Sequence, residues 1–236
     1  MKKIFFSILM VLSVMSAGAQ LKMSVLGDSY STFDGLIPAG NEAWYFVETQ
    51  GNDVSAPDQT WWSILADANG LEIEKNDSYS GATVSYSGYR GEDYKDRSFN
   101  TRADRLGNPD VIFIFGGTND DWAKSPVGEF KYSDFTEQDM YSFRPAFAHL
   151  LQSLQSLYPE AILINISNSD LGRDVTGSMK EICDHYGVAN IQLKKIDKQR
   201  NHPSQSGMRQ IAYQVWKQAA PHIFDHLRAG KSDKKK

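Results

Sequence analysis

The chain has 236 residues and carries 25 Lys and Arg against 29 Asp and Glu, a formal net charge of −4. That length fits one α/β domain with a full core, and a mildly acidic chain without a basic stripe argues against nucleic acid as a partner. With Cys183 as its single cysteine, the chain has no internal disulfide. Cys183 shares a predicted helical face with apolar residues, so we interpret it as a buried structural thiol.

The N-terminal segment, residues 1–19, has the pattern of a secretory signal peptide. Two lysines precede an apolar run from Ile4 to Met15, and Ala17-Gly18-Ala19 forms a small-residue cleavage site. The run is too short for a stable membrane span. We therefore expect an exported protein, periplasmic or extracellular, whose mature chain begins at Gln20 and carries a net charge of −6.

Five apolar segments, separated by helical patterns, predict the strands of a parallel sheet. The strongest is Val111 to Phe115, which is apolar throughout, as in a strand covered on both faces. The predicted strands are residues 21–26, 71–75, 111–115, 161–166 and 188–193. Strands that alternate with helices predict a doubly wound sheet with right-handed crossovers.

The helices between these strands have an apolar stripe at helical spacing, most clearly over residues 143–157 and in the last long helix. A helix from Thr60 to Asn69 ends at Gly70, and another ends at Gly187. Glycine suits the left-handed conformation that commonly follows the last residue of a helix. Both glycines therefore mark predicted helix ends.

The domain organisation is predicted to be simple, because no repeat or linker divides the chain. Residues 20–230 are predicted to form a single domain, and the basic end, residues 231–236, a disordered tail. Two connections, residues 32–59 and 121–142, are too long for simple turns. Each follows a turn that could carry site residues, and loops of this length are usually functional or disordered.

Four polar segments fall at ends of predicted strands or helices. Gly27-Asp28-Ser29, residues 76–81 and residues 116–120 each follow a strand, and His202-Pro203-Ser204 precedes the last helix. The first three would meet at the carboxyl edge of the sheet, where open parallel sheets bind ligands. Ser29 is therefore a candidate nucleophile. Of the five histidines, His202 lies in a loop fixed by a proline, as a base acting on a serine hydroxyl requires.

The remaining histidines do not make a convincing metal site. His222 and His226 are four residues apart, a spacing that metal-binding helices use, but no third ligand accompanies them. Histidine is also favourable near a helix C-terminus without any metal. We expect neither a metal nor another cofactor.

The four segments resemble the conserved blocks of the SGNH hydrolase superfamily, also called GDSL-type esterases and lipases. The resemblance runs in the right order from Gly27 to Ser204. It implies a flavodoxin-like three-layer α/β/α sandwich with a mostly five-stranded parallel sheet, and ester hydrolysis by a serine nucleophile. The Gly-x-Ser-x-Gly turn of the α/β-hydrolases is absent, which agrees with this different serine architecture.

The resemblance also implies roles for individual residues. Ser29 would be the nucleophile and His202 the base that takes its proton. The backbone N–H groups of Ser29 and Gly81 and the side-chain amide of Asn119 would form the oxyanion hole. Removal of one such donor typically lowers the rate about 100- to 1000-fold.

The chain departs from the family pattern at the acid that orients the histidine. The family usually has an aspartate three residues before His202, where this chain has Gln199, and the nearest carboxylate is Asp197. Either Asp197 reaches the imidazole from an enlarged loop, or a backbone carbonyl or Gln199 orients the ring in a Ser–His dyad. We favour Asp197. Asp28 and Asp120 are expected to hold their turns by hydrogen bonds.

Aromatic residues near the site guide the substrate prediction. Trp44, Tyr45 and Trp122 lie in irregular, polar sequence, where exposed rings can stack on sugars, whereas a lipase mouth would carry more aliphatic residues. Together with export, this favours the removal of small acyl groups, such as acetyl, from a small or polymeric carbohydrate ester. The alternatives are a lysophospholipase or thioesterase, and an inactive sugar-binding module on the same scaffold.

Overall fold

A computed structural model of the protein describes residues 20–233, so the predicted signal peptide, residues 1–19, lies outside the described residues. Five strands form one parallel sheet in the order β2-β1-β3-β4-β5. They are β1 (Lys22–Gly27), β2 (Glu72–Ser78), β3 (Val111–Phe115), β4 (Ile162–Ser167) and β5 (Ala189–Gln192). This strand order is that of flavodoxin-like folds, and the predicted five-stranded α/β architecture is confirmed.

Residues 20–233 contain six α-helices. They are α1 (Trp61–Asn69), α2 (Phe99–Arg102), α3 (Thr118–Ala123), α4 (Phe143–Leu157), α5 (Arg173–Tyr186) and α6 (Gln205–Asp233). Gly70 and Gly187 follow α1 and α5 with φ of 65° and 66°, as predicted. Helix α6 includes residues 231–233 of the segment predicted as a disordered tail, and residues 234–236 lie outside the described part. None of the helices in the described part is long and apolar enough to cross a membrane.

Two hydrophobic cores lie on the two faces of the sheet, because alternate side chains of a strand point to opposite faces. Val25 and Phe113 belong to the core formed with α1 and α6. Leu26 and Ile114 belong to the core formed with α2, α4 and α5. Every residue of β3 is buried, which explains why that strand is apolar throughout.

Strand β2 extends three residues beyond its predicted end, into polar sequence. Asn76, Asp77 and Ser78 are buried and continue the pairing with β1. Local contacts hold most of their polar groups: the Ser78 hydroxyl donates to Asn76 at 2.6 Å, and the buried Arg102 pairs with Oδ1 of Asp77 at 3.1 Å. Arg102 also donates to the carbonyl of Gly27 at 3.2 Å. The carboxyl ends of β1 and β2 are thereby tied together.

A short β-hairpin, with two residues in each strand and two in the turn, lies between β5 and α6. Its strands are β6 (Lys198–Gln199) and β7 (His202–Pro203), which are antiparallel. Arg200 and Asn201 form the turn, both with positive φ, 50° and 64°. That geometry is typical of a type I′ turn, whose twist matches that of a hairpin. The hairpin fixes the backbone of His202 immediately before α6.

Candidate active site

The serine turn begins where β1 ends. Ser29 starts a short 3₁₀ turn, Ser29–Ser31, and the carboxylate of Asp28 caps it by accepting the Tyr30 N–H at 3.0 Å. Burial raises the pKa of Asp28 to about 7. Within residues 20–233 its second carboxylate oxygen has no hydrogen-bond partner. Asp28 therefore holds the turn, as predicted.

Ser29 and His202 are within hydrogen-bond distance. The Ser29 Oγ lies 2.9 Å from Nε2 of His202, and Nδ1 of the same ring lies 3.1 Å from the carbonyl oxygen of Arg200. A carbonyl can only accept, so Nδ1 carries the proton and Nε2 is left to accept the serine hydroxyl. Burial, with smaller effects of the Lys198 and Arg200 charges, lowers the pKa of His202 to about 4. The imidazole is therefore neutral at neutral pH and able to accept a proton.

The long segment 32–59 holds the hairpin that carries His202. The amide of Asn52 approaches the carbonyl oxygens of Gln199, His202 and Pro203 at 3.2 to 3.4 Å. The Tyr45 hydroxyl donates to Pro203 at 2.8 Å. This segment therefore positions His202. Its length had predicted only that the segment would be functional or disordered, without saying which residues it would hold.

The structure does not bring Asp197 to the imidazole. Its carboxylate accepts the hydroxyl of Ser204, whose oxygen in turn accepts the Gly207 N–H at 3.1 Å in the first turn of α6. The reason is the hairpin register, which pairs Lys198 with Pro203 and leaves Asp197 next to Ser204, beyond the end of the hairpin. In this structure Asp197 therefore does not orient the ring, and the contact at Nδ1 is the one expected for the backbone-carbonyl alternative.

Gln199 does not contact the ring through its side chain either. Its Oε1 accepts the N–H of Asp53 at 2.7 Å and ties the hairpin to segment 32–59. Although Gln199 pairs with His202 in the backbone of the hairpin, its side chain is engaged elsewhere. The Arg200 carbonyl is thus the group at Nδ1.

Gly81 and Asn119 lie just past the ends of β2 and β3, in the two segments predicted to carry oxyanion donors. Gly81 has a φ of +81°, and a Cβ built on it would meet nothing within 4 Å. Asn119, in the first turn of α3, donates from Nδ2 to the carbonyl of Ala82 at 2.9 Å. The Tyr89 hydroxyl donates to its Oδ1 at 2.8 Å. These two bonds fix the orientation of the amide and leave the second Nδ2–H available.

Two supporting groups stabilise this side of the site. Asp120 accepts the N–H groups of Val84 and Ser85 at 2.7 and 3.0 Å, which confirms its predicted structural role. The sequence did not predict the role of Tyr89. Its loop contains several tyrosines, and no sequence pattern distinguishes this one from the others. Its contact with Asn119 depends on how the loop after Gly81 folds back over α3.

The three aromatic residues predicted to contact substrate differ in their surroundings. Trp44 is partly exposed, and its ring stacks on His202 with centroids 3.6 Å apart and planes 10° apart. Trp122 is partly exposed and meets the His202 ring edge-on at 6.1 Å. Tyr45 is fully buried with its hydroxyl bound to Pro203, so its predicted contact with substrate is wrong.

A flavodoxin-like sheet with a serine–histidine pair at its carboxyl edge is the arrangement of an SGNH hydrolase. The family profile described as GDSL-like Lipase/Acylhydrolase matches residues 21–219. The chain therefore belongs to this family and is a carboxylic ester hydrolase.

Solved structures agree with this membership. A GDSL-like protein from Bacteroides uniformis shares 52% identity and a TM-score of 0.83, over 86% of this chain and 96% of that chain. One from Bacteroides ovatus shares 46% identity and a TM-score of 0.83, over 84% and 97%. A search of curated proteins found no match.

A more distant group of structures shares the fold. A family two carbohydrate esterase from Clostridium thermocellum, in complex with cellohexaose, is 16% identical with a TM-score of 0.59, over 89% of this chain and 67% of that chain. An acetyl xylan esterase from Butyrivibrio proteoclasticus is 14% identical with a TM-score of 0.54, over 86% and 64%. At these identities the likeness concerns the fold alone.

Proposed function

We propose that the protein is an exported serine esterase that removes small acyl groups, such as acetyl, from carbohydrates, with Ser29 as nucleophile and His202 as base. The observation that carries this proposal is the 2.9 Å contact between Ser29 Oγ and the unprotonated Nε2 of a neutral imidazole. A general base must lie within hydrogen-bond reach of the proton that it takes. The same contact argues against an inactive sugar-binding module.

The first half of the proposed reaction forms an acyl-enzyme. Ser29 Oγ bonds to the ester carbonyl carbon as its proton moves to Nε2 of His202, and the carbonyl oxygen becomes an oxyanion. His202 then returns that proton to the ester oxygen, the carbon–oxygen bond breaks and the alcohol leaves. The Arg200 carbonyl keeps Nδ1 protonated throughout, so Nε2 is the atom that exchanges the proton.

The second half releases the acid. A water molecule gives one proton to Nε2 of His202 as its oxygen attacks the acyl carbon. The second tetrahedral intermediate collapses, and the proton on Nε2 returns to Ser29 Oγ. The products are the carboxylic acid and free enzyme, so the steps balance without a cofactor.

Three donors would stabilise the oxyanion. The backbone N–H groups of Ser29 and Gly81 take no part in the turn and loop backbone hydrogen bonds of residues 20–233. Asn119 keeps one amide hydrogen beyond its bond to Ala82. Such fixed donors act where negative charge develops and need no reorganisation during the reaction.

Several observations support a small acyl group on a sugar. Ser29 and His202 are only 4% and 6% exposed, which favours a small acyl group at the reacting atoms. The partly exposed ring of Trp122 lies beside His202, and a ring of this kind can stack on a sugar. Esterases that act on carbohydrates are found on the same fold. Export rests on the signal-peptide pattern of residues 1–19.

The test combines chain-length profiling with natural polymers. We expect the protein to hydrolyse p-nitrophenyl acetate far better than long-chain p-nitrophenyl esters, and to release acetate from acetylated xylan or a related acetylated polysaccharide. Ser29→Ala should abolish both activities, and a fluorophosphonate should label Ser29. A strong preference for long acyl chains or lysophospholipids would favour a lipid hydrolase, and absence of labelling and turnover would favour the inactive module.

A further inference from the structure

The His202 ring is covered by an indole, and no carboxylate of residues 20–233 contacts its Nδ1. Trp44 lies over its face with ring centroids 3.6 Å apart and planes 10° apart. The group at Nδ1 is the uncharged carbonyl of Arg200. In a serine–histidine–aspartate triad, the carboxylate both orients the ring and stabilises the imidazolium that forms. In this site the carbonyl orients the ring and its hydrogen bond favours the charged form, but it brings no formal negative charge.

The need for charge stabilisation is large here. His202 is almost completely buried, and burial disfavours its charged form. The charged groups that act most strongly on the ring are Lys198 and Arg200 of the hairpin, and both also disfavour a cation. Tyr30 and Tyr45 face the ring from the serine turn and segment 32–59, and burial raises the pKa of both hydroxyls, so they stay neutral.

We propose that Trp44 is a positioning residue whose ring face stabilises the imidazolium form of His202 during the reaction, in place of the carboxylate that this site lacks. The face of an indole carries negative potential, and a cation over it gains more as the pair is removed from water. The proposal rests on the proposed reaction of Ser29 and His202. It moves Trp44 from substrate contact to support of the base.

The position of Trp44 is fixed from the serine turn. The Thr32 hydroxyl donates to the Ser29 carbonyl at 3.0 Å, and its oxygen accepts the Trp44 N–H at 2.9 Å. The indole Nε1 is buried and finds no hydrogen-bond partner within residues 20–233. The plane of the indole ring is therefore set by its packing against His202 and by this hydrogen-bonded link through Thr32. The link fixes the backbone of Trp44 relative to that of Ser29.

The experiment compares Trp44→Leu, Trp44→Tyr and Trp44→Phe with the unchanged protein on p-nitrophenyl acetate. Leucine keeps an apolar cover without a ring face, whereas phenylalanine and tyrosine keep a weaker one. We expect kcat to fall about 5- to 30-fold in Trp44→Leu, the range that a buried cation–π contact supplies. The two aromatic variants should recover part of that loss, and KM should change less than about twofold.

A second measurement needs no substrate. The pKa of His202, followed by NMR of the imidazole, should be lower in Trp44→Leu than in the unchanged protein and intermediate in Trp44→Phe. Trp216→Leu, on α6 and against Phe224, is the matched control and should change neither kcat nor this pKa. Because the titration is independent of turnover, it tests the role of Trp44 even if the substrate class proposed above is wrong.

Two results would overturn the proposal. A rise in KM at unchanged kcat would return Trp44 to substrate binding. A His202 pKa that rises or stays constant in Trp44→Leu would assign the indole a role in excluding water. If Ser29→Ala keeps full activity while the pKa follows the expected order, the proposed catalytic serine fails and the interaction of Trp44 with His202 stands.

Discussion

Tyr30 donates its hydroxyl to the carbonyl oxygen of Asn201 at 2.6 Å, so the residue after Ser29 also holds the turn before His202. The two partners are 171 positions apart in the chain. Because Tyr30 immediately follows Ser29, any movement of the hairpin turn relative to the serine turn strains this bond. The 2.9 Å distance between Ser29 Oγ and His202 Nε2 is thus maintained by the neighbours of both residues.

Tyr30→Phe is expected to lower kcat about 10-fold with little change in KM. The phenyl ring keeps the packing against Phe115, but the carbonyl of Asn201 loses its donor. Loss of one buried hydrogen bond costs about 1 to 3 kcal/mol, part of which we expect to appear as misplacement of His202. Steady-state kinetics with p-nitrophenyl acetate measures the effect. Tyr213→Phe, at an exposed position on α6, is the control, and equal losses in both variants would contradict the argument.

Asp197→Ala is expected to lower stability while leaving catalysis nearly intact. The substitution removes the acceptor of the Ser204 hydroxyl at the start of α6, so we expect a loss of about 1 to 2 kcal/mol in free energy of unfolding. The kcat of the folded protein should stay within about threefold, because the group at Nδ1 of His202 is the Arg200 carbonyl. Denaturant unfolding and kinetics on the same sample separate the two effects.

The outcome that would contradict this assignment is a 100-fold or larger loss of kcat at unchanged stability, since that is the behaviour of a triad acid. Gln199→Ala is the companion variant. It loses only the bond to the Asp53 N–H and should also leave kcat within about threefold.

The strands, helix ends and serine–histidine pair were predictable from sequence because each depends on local pattern. The run Val111–Phe115 is a buried strand in any register, and Gly70 and Gly187 end helices through their own backbone freedom. Ser29 and His202 each lie next to a recognisable turn. Ser29 and His202 come together because of the strand order, which the alternation of helices and strands already favoured.

The acid and the aromatic residues were not predictable, because they depend on tertiary contacts and on register. A hairpin of two-residue strands places Asp197 against Ser204, and a shift of one residue would bring a different group to His202. From sequence, Tyr45 was predicted to be an exposed loop residue. It is buried because segment 32–59 packs against Pro203. No periodicity within that segment reports such a contact, since its partner lies more than a hundred residues away.

The pH dependence of hydrolysis should be shifted towards acid. The base must be neutral, so kcat/KM is present above the pKa of His202 and is lost as the pH falls through it. Burial lowers that pKa from 6.5 to about 4, so we expect activity at pH 5 close to that at pH 7. The pH–rate profile with p-nitrophenyl acetate measures the acid limb.

Asp28 provides the control for this profile. Burial raises its pKa to about 7, well above the value of about 4 for His202, so the two groups would produce limbs at different pH. An acid limb near pH 4 that persists in Asp28→Asn belongs to His202. A midpoint close to 6.5 would mean that water reaches the imidazole freely, and would contradict the enclosed geometry.

Gly27→Ala should be strongly unfavourable, whereas Gly177→Ala should be favourable. A Cβ on Gly27 would lie 2.5 Å from Ser78 Oγ and 2.6 Å from Ser31 Cβ, which forces the serine turn to shift. We expect a loss of about 1 to 3 kcal/mol in unfolding free energy and a lower kcat. Gly177, on the exposed face of α5, has nothing within 4 Å, so alanine should add about 0.5 to 1 kcal/mol. Thermal unfolding of both variants measures the contrast, and a tolerated Gly27→Ala would contradict the close approach.

Tyr89→Phe should reveal how much the orientation of Asn119 contributes to the rate. Without the hydroxyl, the Oδ1 of Asn119 loses its donor, and the amide is held only by its bond to Ala82. We expect kcat to fall about 3- to 10-fold, against about 100- to 1000-fold for Asn119→Ala, which removes a proposed oxyanion donor outright. KM should change little in either variant, because the lost interaction matters most in the transition state.

Tyr94→Phe, whose ring lies 6.3 Å from that of Tyr89, is the control and should retain full activity. If Tyr89→Phe is silent while Asn119→Ala is severe, the bond to Ala82 alone orients the amide.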